Sequence, residues 1–525
     1  VSRAESPSPR FVLGALGALS AALLAVRLYA SAHVGFGDSE ALYAAYALHP
    51  QPAYVDHPGL IGVLARLIGE GGAPSPGAAH RVTALASTLL PWVLVGAARA
   101  AGATWRTSAL AGMALAAAPE IGVGLFAMTP DLPLAFAWTG ALGLAAAGLR
   151  AEARSARAAA TLLFAGVLAG VACAAKVSGA LLAVGLVAAY ASPPARAHAR
   201  TPWPWVGLAF GAIVTLPIVG YEARLGFPML RHRLVDTQAQ AGFSPRNVAA
   251  VLLGQLAYVS PVLLTAAALA ARDLVKARRT NDPVTRLLFA TFAIPLVALV
   301  TLSAWSRVAE PHWLAPAFLA LPIHAARGSR SVTLRLVRAS VITGFALVAG
   351  VYAWVLVPSS TQLLPASADP RLDLANELVG WPQATDVLRD VLVDVRASDP
   401  IDTPIVVGPY WTICAQLSAA LGHEAQVGCD SNIPDDFDSW LPRHEWRRAG
   451  EVVFVTDSRY PVDLSARFPD RFAVQAWEVP VVRGGRLART FTITRLVPRA
   501  MGAFELPAGT RPKAPEPSRE ALRPG

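Results

Sequence analysis

Charge is scarce in this 525-residue chain: 15% of residues are charged, 54% are hydrophobic and the mean hydropathy is +0.45. Soluble domains are closer to one-quarter charged, so the composition excludes a soluble globular protein and implies an integral membrane protein. Lysine is nearly missing. Lys176, Lys276 and Lys513 are the full set, and arginine supplies the rest of a net charge of +10. Cysteine is sparse as well. Cys173 lies in a hydrophobic run and reads as a small core residue. Cys414 and Cys429 lie in a more polar region, where a disulfide and two buried thiols both remain open. There is no C-x-x-C pair, no H-E-x-x-H, no spaced metal-ligand cluster, no phosphate loop and no dinucleotide fingerprint, so no metal or cofactor is called for. No internal repeat of the transporter kind appears either.

What the chain does have is apolar runs. About 20 such residues cross a bilayer as a helix, and on that measure about eleven spans are predicted. They lie near 11–33, 81–99, 107–127, 131–149, 158–174, 177–193, 203–222, 250–270, 287–304, 312–326 and 334–357. Alternate loops carry Arg99 and Arg106; Arg150, Arg154 and Arg157; Arg196 and Arg200; Arg272 to Arg286; and Arg327 to Arg338. Together with Arg3 and Arg10 they fall on one side, which the positive-inside rule assigns to the cytoplasm. The net charge is then a topological signal, and no nucleic-acid partner is needed to explain it. The N-terminus is expected inside, behind a retained signal anchor. The first loop (34–80), the 223–249 loop and everything after Val357 are expected outside.

After Pro358 the composition turns soluble. Val387, Leu388, Val391, Leu392 and Val395 make one face of a helix, and 411–421 has helical spacing. Segments 404–407 and 451–456 read as buried strands, and 471–479 and 489–497 complete a sheet. The fold class expected is therefore a multi-pass α-helical membrane protein, with its catalytic part over 1–357 and an extracytoplasmic α/β domain over 358–505. The Pro-, Arg- and Glu-rich 506–525 segment reads as a disordered tail.

Four polar clusters fall at external span ends. They are Asp38 and Glu40 with Asp56 and His57; Asp131 in Thr129-Pro130-Asp131; Lys176; and Arg307 with Glu310 and His312. An immersed acid costs roughly 3 kcal/mol, so such groups mark chemistry or a pathway. Each also has a plain structural reading: helix capping for Asp38, Glu40 and Asp131, snorkelling for Lys176, buried hydrogen bonding for the histidines. Their gathering on one face favours function. A carboxylate with cations suits group transfer from a phosphate-linked donor, and Lys176 and Arg307, with Arg231 or Arg233, are the cations available. The face lies away from cytosolic nucleotides, so a lipid phosphate reached from the bilayer fits better.

The text Asp38-Ser39-Glu40-Ala41-Leu42-Tyr43, then Tyr54-Val55-Asp56-His57-Pro58-Gly59, Thr129 to Leu134, Lys176 and His312-Trp313-Leu314-Ala315-Pro316-Ala317 resembles the GT-C superfamily of membrane glycosyltransferases. The branch most similar contains lipid A aminoarabinose transferases and protein O-mannosyltransferases. Gly380-Trp381, Tyr410 and Phe437-Asp438-Ser439-Trp440 extend the resemblance into the soluble part. It implies transfer of a sugar, with inversion, from a polyprenyl-phosphate donor to a lipid, glycan or protein acceptor outside the bacterial inner membrane. It implies Asp38, Glu40 and Asp131 as catalytic residues, and Lys176, Arg307, Arg231, Arg233, His57, Asp56, Tyr54 and His312 as substrate-binding ones. The motif is offset, however. When Glu40 is aligned with the family Glu, Ser39 takes the usual Asp position and Asp38 lies one residue early, leaving Asp38 and Glu40 in competition. Gly59 and His312 also replace a family Pro and Asn. A flippase for a lipid-linked substrate and a catalytically silent assembly subunit are the rival classes.

Overall fold

The computed structural model describes residues 8–236, 242–306, 309–329, 331–398 and 403–499. The chain divides into two compact units, Val1–Val357 and Pro358–Gly525. The expected tail over 506–525 lies outside the described residues.

The first unit is helical. Its early elements are α1 (Pro9–Ser31), α2 (Asp38–Tyr46), α3 (Leu60–Ile68), α4 (Pro76–Ala100), α5 (Trp105–Ala116), α6 (Pro119–Gly122), α7 (Asp131–Arg150) and α8 (Ala156–Ala175). Several helix starts share one device. Ser8, Ser75, Ser244, Ser260 and Asp282 each cap with the side chain, and a proline follows as the first helical residue. The cap satisfies an orphan N–H, and proline has none to satisfy.

Among the described residues, seven helices are long and apolar enough to span a membrane, or up to ten if three bent pairs each count as one span, against about eleven expected. The bent pairs break before Pro119 (75°), before Pro193 (77°) and before Pro261 (112°). The segment 312–326 is not one helix but short pieces, Pro311–Leu314, Ala315–Phe318 and Ala320–Ala326. Hydropathy counts apolar length and is blind to such breaks.

A break inside a bilayer exposes backbone carbonyls that need donors. At the α5–α6 bend these come from a buried arginine of α1. Arg27 donates to the Ile121 and Gly122 carbonyls at 2.6 and 3.0 Å and to Thr88 Oγ1 at 2.9 Å. The Tyr352 hydroxyl also donates to the Gly122 carbonyl, at 3.1 Å. Elsewhere glycines set the packing. Gly166 and Gly170 of α8 meet Gly207 and Gly211 of the Trp203–Arg224 helix. A Cβ on Gly166 would stand 2.1 Å from the Gly207 carbonyl carbon, and one on Gly170 would stand 2.2 Å from the Gly211 oxygen. Without a hydrophobic drive between helices in lipid, such close backbone approach supplies the van der Waals contact.

The second unit holds a five-stranded sheet in the order β2-β1-β3-β5-β4. Its strands are β1 (Ile405–Gly408), β2 (Gln426–Cys429), β3 (Val452–Asp457), β4 (Arg471–Arg483) and β5 (Arg486–Pro498). The β1 strand pairs in parallel with β2 and β3, while β5 runs antiparallel to β3 and β4. Leu388, Val391, Leu392 and Val395 of the Trp381–Ser398 helix pack on Val406, Val453, Phe491 and Ile493. Cys414 and Cys429 are joined in a disulfide, which decides between the two open readings.

Candidate active site

The first loop is built around Tyr54. That side chain is 2% exposed and stacks on Tyr46 with ring centroids 3.6 Å apart. Its hydroxyl lies 3.0 Å from the carbonyls of Tyr46 and His49 and accepts from the Gln51 N–H at 3.2 Å. Tyr54 therefore shapes the loop. Gly59 is explained here too. Its N–H donates to the Pro52 carbonyl at 2.8 Å, and a Cβ would stand 2.4 Å from the Gln51 oxygen. Proline has a Cβ and no N–H, so the departure from the family text is a local packing solution.

The loop then presents Asp56 and His57. Arg233 donates to the Asp56 carbonyl at 3.0 and 3.1 Å and pairs with its carboxylate at 3.0 Å. His232 Nε2 is 3.7 Å from the same carboxylate. His57 Nε2 lies 3.1 Å from the Tyr43 hydroxyl of α2. Burial, and then the charges of Arg233, Lys176 and His312, hold the His57 imidazole well below the usual histidine range. It is neutral at physiological pH and serves as a hydrogen-bonding group, not a cation. Burial, with the Asp131 and Asp56 charges, pushes the Tyr43 phenol up.

A second network stands within electrostatic reach of the first, since Lys176 and His312 act on His57. It is built on Asp131, the first residue of α7. Lys176 Nζ donates to both Asp131 oxygens, at 2.8 and 3.0 Å. Lys176 reaches it because α8 ends at Ala175 and the chain doubles back. Gly179 permits the reversal: a Cβ there would stand 2.2 Å from the Ala172 carbonyl carbon. His312 bridges onward, 4.0 Å from Asp131 and 3.1 Å from Glu310. The hydrogen bond from His312 holds the Glu310 carboxyl below its usual range.

The two carboxylates of α2 are both buried. Glu40 is buried and fully engaged, accepting from Gly37 N–H at 3.0 Å and Met128 N–H at 2.7 Å and pairing with His80 at 2.9 Å. It ties α2 to α4 and to the segment before α7. Asp38 is the first residue of α2 and is 7% exposed, where the helix dipole favours an anion. Ser39 is exposed.

Of the arginines named from sequence, Arg233 joins the Asp56 network. Arg231 instead pairs with Asp236 at 3.5 Å with its side chain 70% exposed. Arg307 lies outside the described residues. Sequence reasoning missed His232, Tyr43 and Glu120. The last is an acid in α6 lining an apolar cavity of about 320 Å³ together with Asp131 and Tyr258. An acid inside the predicted 107–127 span was itself a signal.

The family model for dolichyl-phosphate-mannose-protein mannosyltransferases matches residues 56–221, which include Asp56, His57, Asp131 and Lys176. The crystal structure of ArnT from Cupriavidus metallidurans bound to undecaprenyl phosphate matches with a TM-score of 0.58 at 17% identity, over 91% of this chain and 98% of that one. The same enzyme in the apo state matches with a TM-score of 0.59 at 17% identity, over 92% and 98%. No curated protein sequence matches the chain. The chain therefore shares the fold of the ArnT structures, and its match to the mannosyltransferase family model lies within residues 56–221.

Proposed function

We propose that the protein moves a sugar from a polyprenyl-phosphate donor to a hydroxyl of a lipid, glycan or protein acceptor at the outer face of the bacterial inner membrane. The observation that carries this reading is the junction at Asp131. The carboxylate that holds Lys176 also lines a long apolar cavity, so a cation stands beside a slot suited to a lipid chain. The cavity follows α5 from Arg106 to Leu115, about 14 Å at the helical rise, and continues to Glu120 in α6.

Every cation here already has a carboxylate, so phosphate binding is a sharing of donors. Lysine has three N–H donors, one more than the two bonds Lys176 makes to Asp131. The donor phosphate takes the third from Lys176, with the Arg233 charge beside it and neutral His57 as a further hydrogen-bond partner. Asp38 orients the acceptor hydroxyl and takes its proton as the oxygen attacks the anomeric carbon. The bond from that carbon to the phosphate oxygen breaks, the electron pair leaves with the polyprenyl phosphate, and configuration inverts. Positioning and charge stabilisation carry most of the acceleration, and the scheme calls for no metal or cofactor.

The test is transfer by the purified full chain from polyprenyl-phosphate sugars to envelope lipids and proteins. Asp38→Asn is expected to lower turnover by about 100-fold or more, the usual range for a general base. Glu40→Gln is expected to lower the melting temperature instead. Full transfer by the Asp38 variant ends the assignment. Movement of lipid-linked substrate across vesicles without any transfer favours the flippase.

A further inference from the structure

The cavity beside Asp131 is apolar along most of its wall, with Leu125, Leu134, Leu263 and Phe318 among its lining. Two groups break that pattern at the Asp131 end. Glu120 is 9% exposed, and among the described residues no hydrogen bond or ion pair reaches its carboxyl group. The Tyr258 hydroxyl, on the same wall, likewise has no hydrogen-bond partner among the described residues. Neither is a structural tie. Other buried acids of this unit are anchored, as Glu40 is by three contacts and Asp131 by Lys176.

A buried carboxyl group without a partner is costly, and replacing it with an apolar residue would stabilise the fold. Its retention next to a phenol, facing an otherwise apolar cavity, calls for a ligand carrying hydroxyl groups on a hydrophobic body. We infer that Glu120 and Tyr258 form a subsite for the hydroxyl groups of the sugar carried on the lipid phosphate. The inference rests on the donor reading above: with the phosphate at Lys176, the attached sugar lies beside Asp131, where these two side chains stand. The carboxyl group accepts from one or two sugar hydroxyls, and the phenol donates to or accepts from a third. The pair acts on substrate choice. Bond breaking remains with the groups around Asp38 and Lys176.

The experiment compares binding of bare undecaprenyl phosphate with undecaprenyl phosphate carrying mannose, glucose or a pentose, on the full chain in nanodiscs. The wild type is expected to prefer at least one glycosylated lipid by about tenfold, the scale on which a site reads a buried hydroxyl. Glu120→Gln and Glu120→Ala should each remove most of that preference, and Tyr258→Phe a smaller part. Affinity for the bare lipid phosphate should hold, and the melting temperature should hold or rise, because neither side chain is bonded to the protein. A wild type without preference, or variants that keep it, overturns the subsite. A fall in melting temperature with equal loss of both lipids makes the residues structural and overturns it too. A wild type that binds neither bare nor glycosylated lipid phosphate refutes the donor reading itself, and the subsite falls with it.

Discussion

The ion pairs of the two units use the same chemistry to opposite ends. In the sheet unit several deeply buried acids are each met by one or more arginines. Asp373 pairs with Arg483 at 2.7 Å, with both side chains under 5% exposed. Asp457 is met by Arg459 at 2.9 Å and Arg489 at 3.1 Å. Asp430 is met by Arg447 at 3.2 Å, by Arg443 at 3.9 Å and by Arg467. Such groups are saturated, and they lock loops to the sheet. In the helical unit the acids of the pairs around Asp56 and Asp131 are less deeply buried, with the Asp56 side chain 33% exposed and that of Asp131 18%. Deep burial of the acid marks architecture, and a more open pair leaves room for a ligand. Glu40 is the exception that proves useful, since it sits in the helical unit yet is saturated like the acids of the sheet.

Arg233→Ala attacks this contrast where the effect is largest. Transfer is expected to drop by about 100-fold, as loss of a charge-stabilising donor commonly does, with little change in melting temperature. Arg483→Ala should do the reverse. It removes the arginine that pairs with the buried Asp373 carboxylate, costing about 3–5 kcal/mol in the sheet unit, while turnover per folded molecule holds. Reducing the Cys414–Cys429 bridge opens a link across 15 residues of sequence and should cost about 3 kcal/mol in the same unit, read from the reductant dependence of its melting.

The smallest effect concerns Asp435. Burial, reinforced by Asp438, pushes its carboxyl group up to about 7. The folded state therefore holds this proton more tightly than the unfolded one. Its contribution is fully present below the usual carboxylate range and is lost as pH rises through about 7. The sheet unit should melt a few degrees (about 4) higher at acidic than at mildly alkaline pH, and Asp435→Asn should flatten the difference.

Much of this was legible in the sequence for physical reasons. Charges are rare enough near a bilayer that Asp38, Asp131, Lys176 and His312 stood out, and the structure joins Asp131, Lys176 and His312 directly. The helix over 381–398 and the buried strands β1 and β3 announced themselves by periodicity. Three things did not. Hydropathy cannot see a bend, although Pro119, Pro193 and Pro261 stood at each one. The β2 strand is only four residues long and half exposed, too short for a pattern. The hydrogen bonds of Glu40 run to partners far away in sequence, His80 and Met128, which no local motif encodes.

The most direct test of the contrast is one binding titration, undecaprenyl phosphate on the full chain, carried out on the wild type, Lys176→Ala and Arg483→Ala with melting followed in parallel. The account predicts that the Lys176 variant binds at least about tenfold more weakly with a smaller fall in melting temperature than the Arg483 variant, one charge-assisted contact being worth that much. The Arg483 variant should bind normally and melt early. Undiminished lipid-phosphate binding by the Lys176 variant would contradict the account.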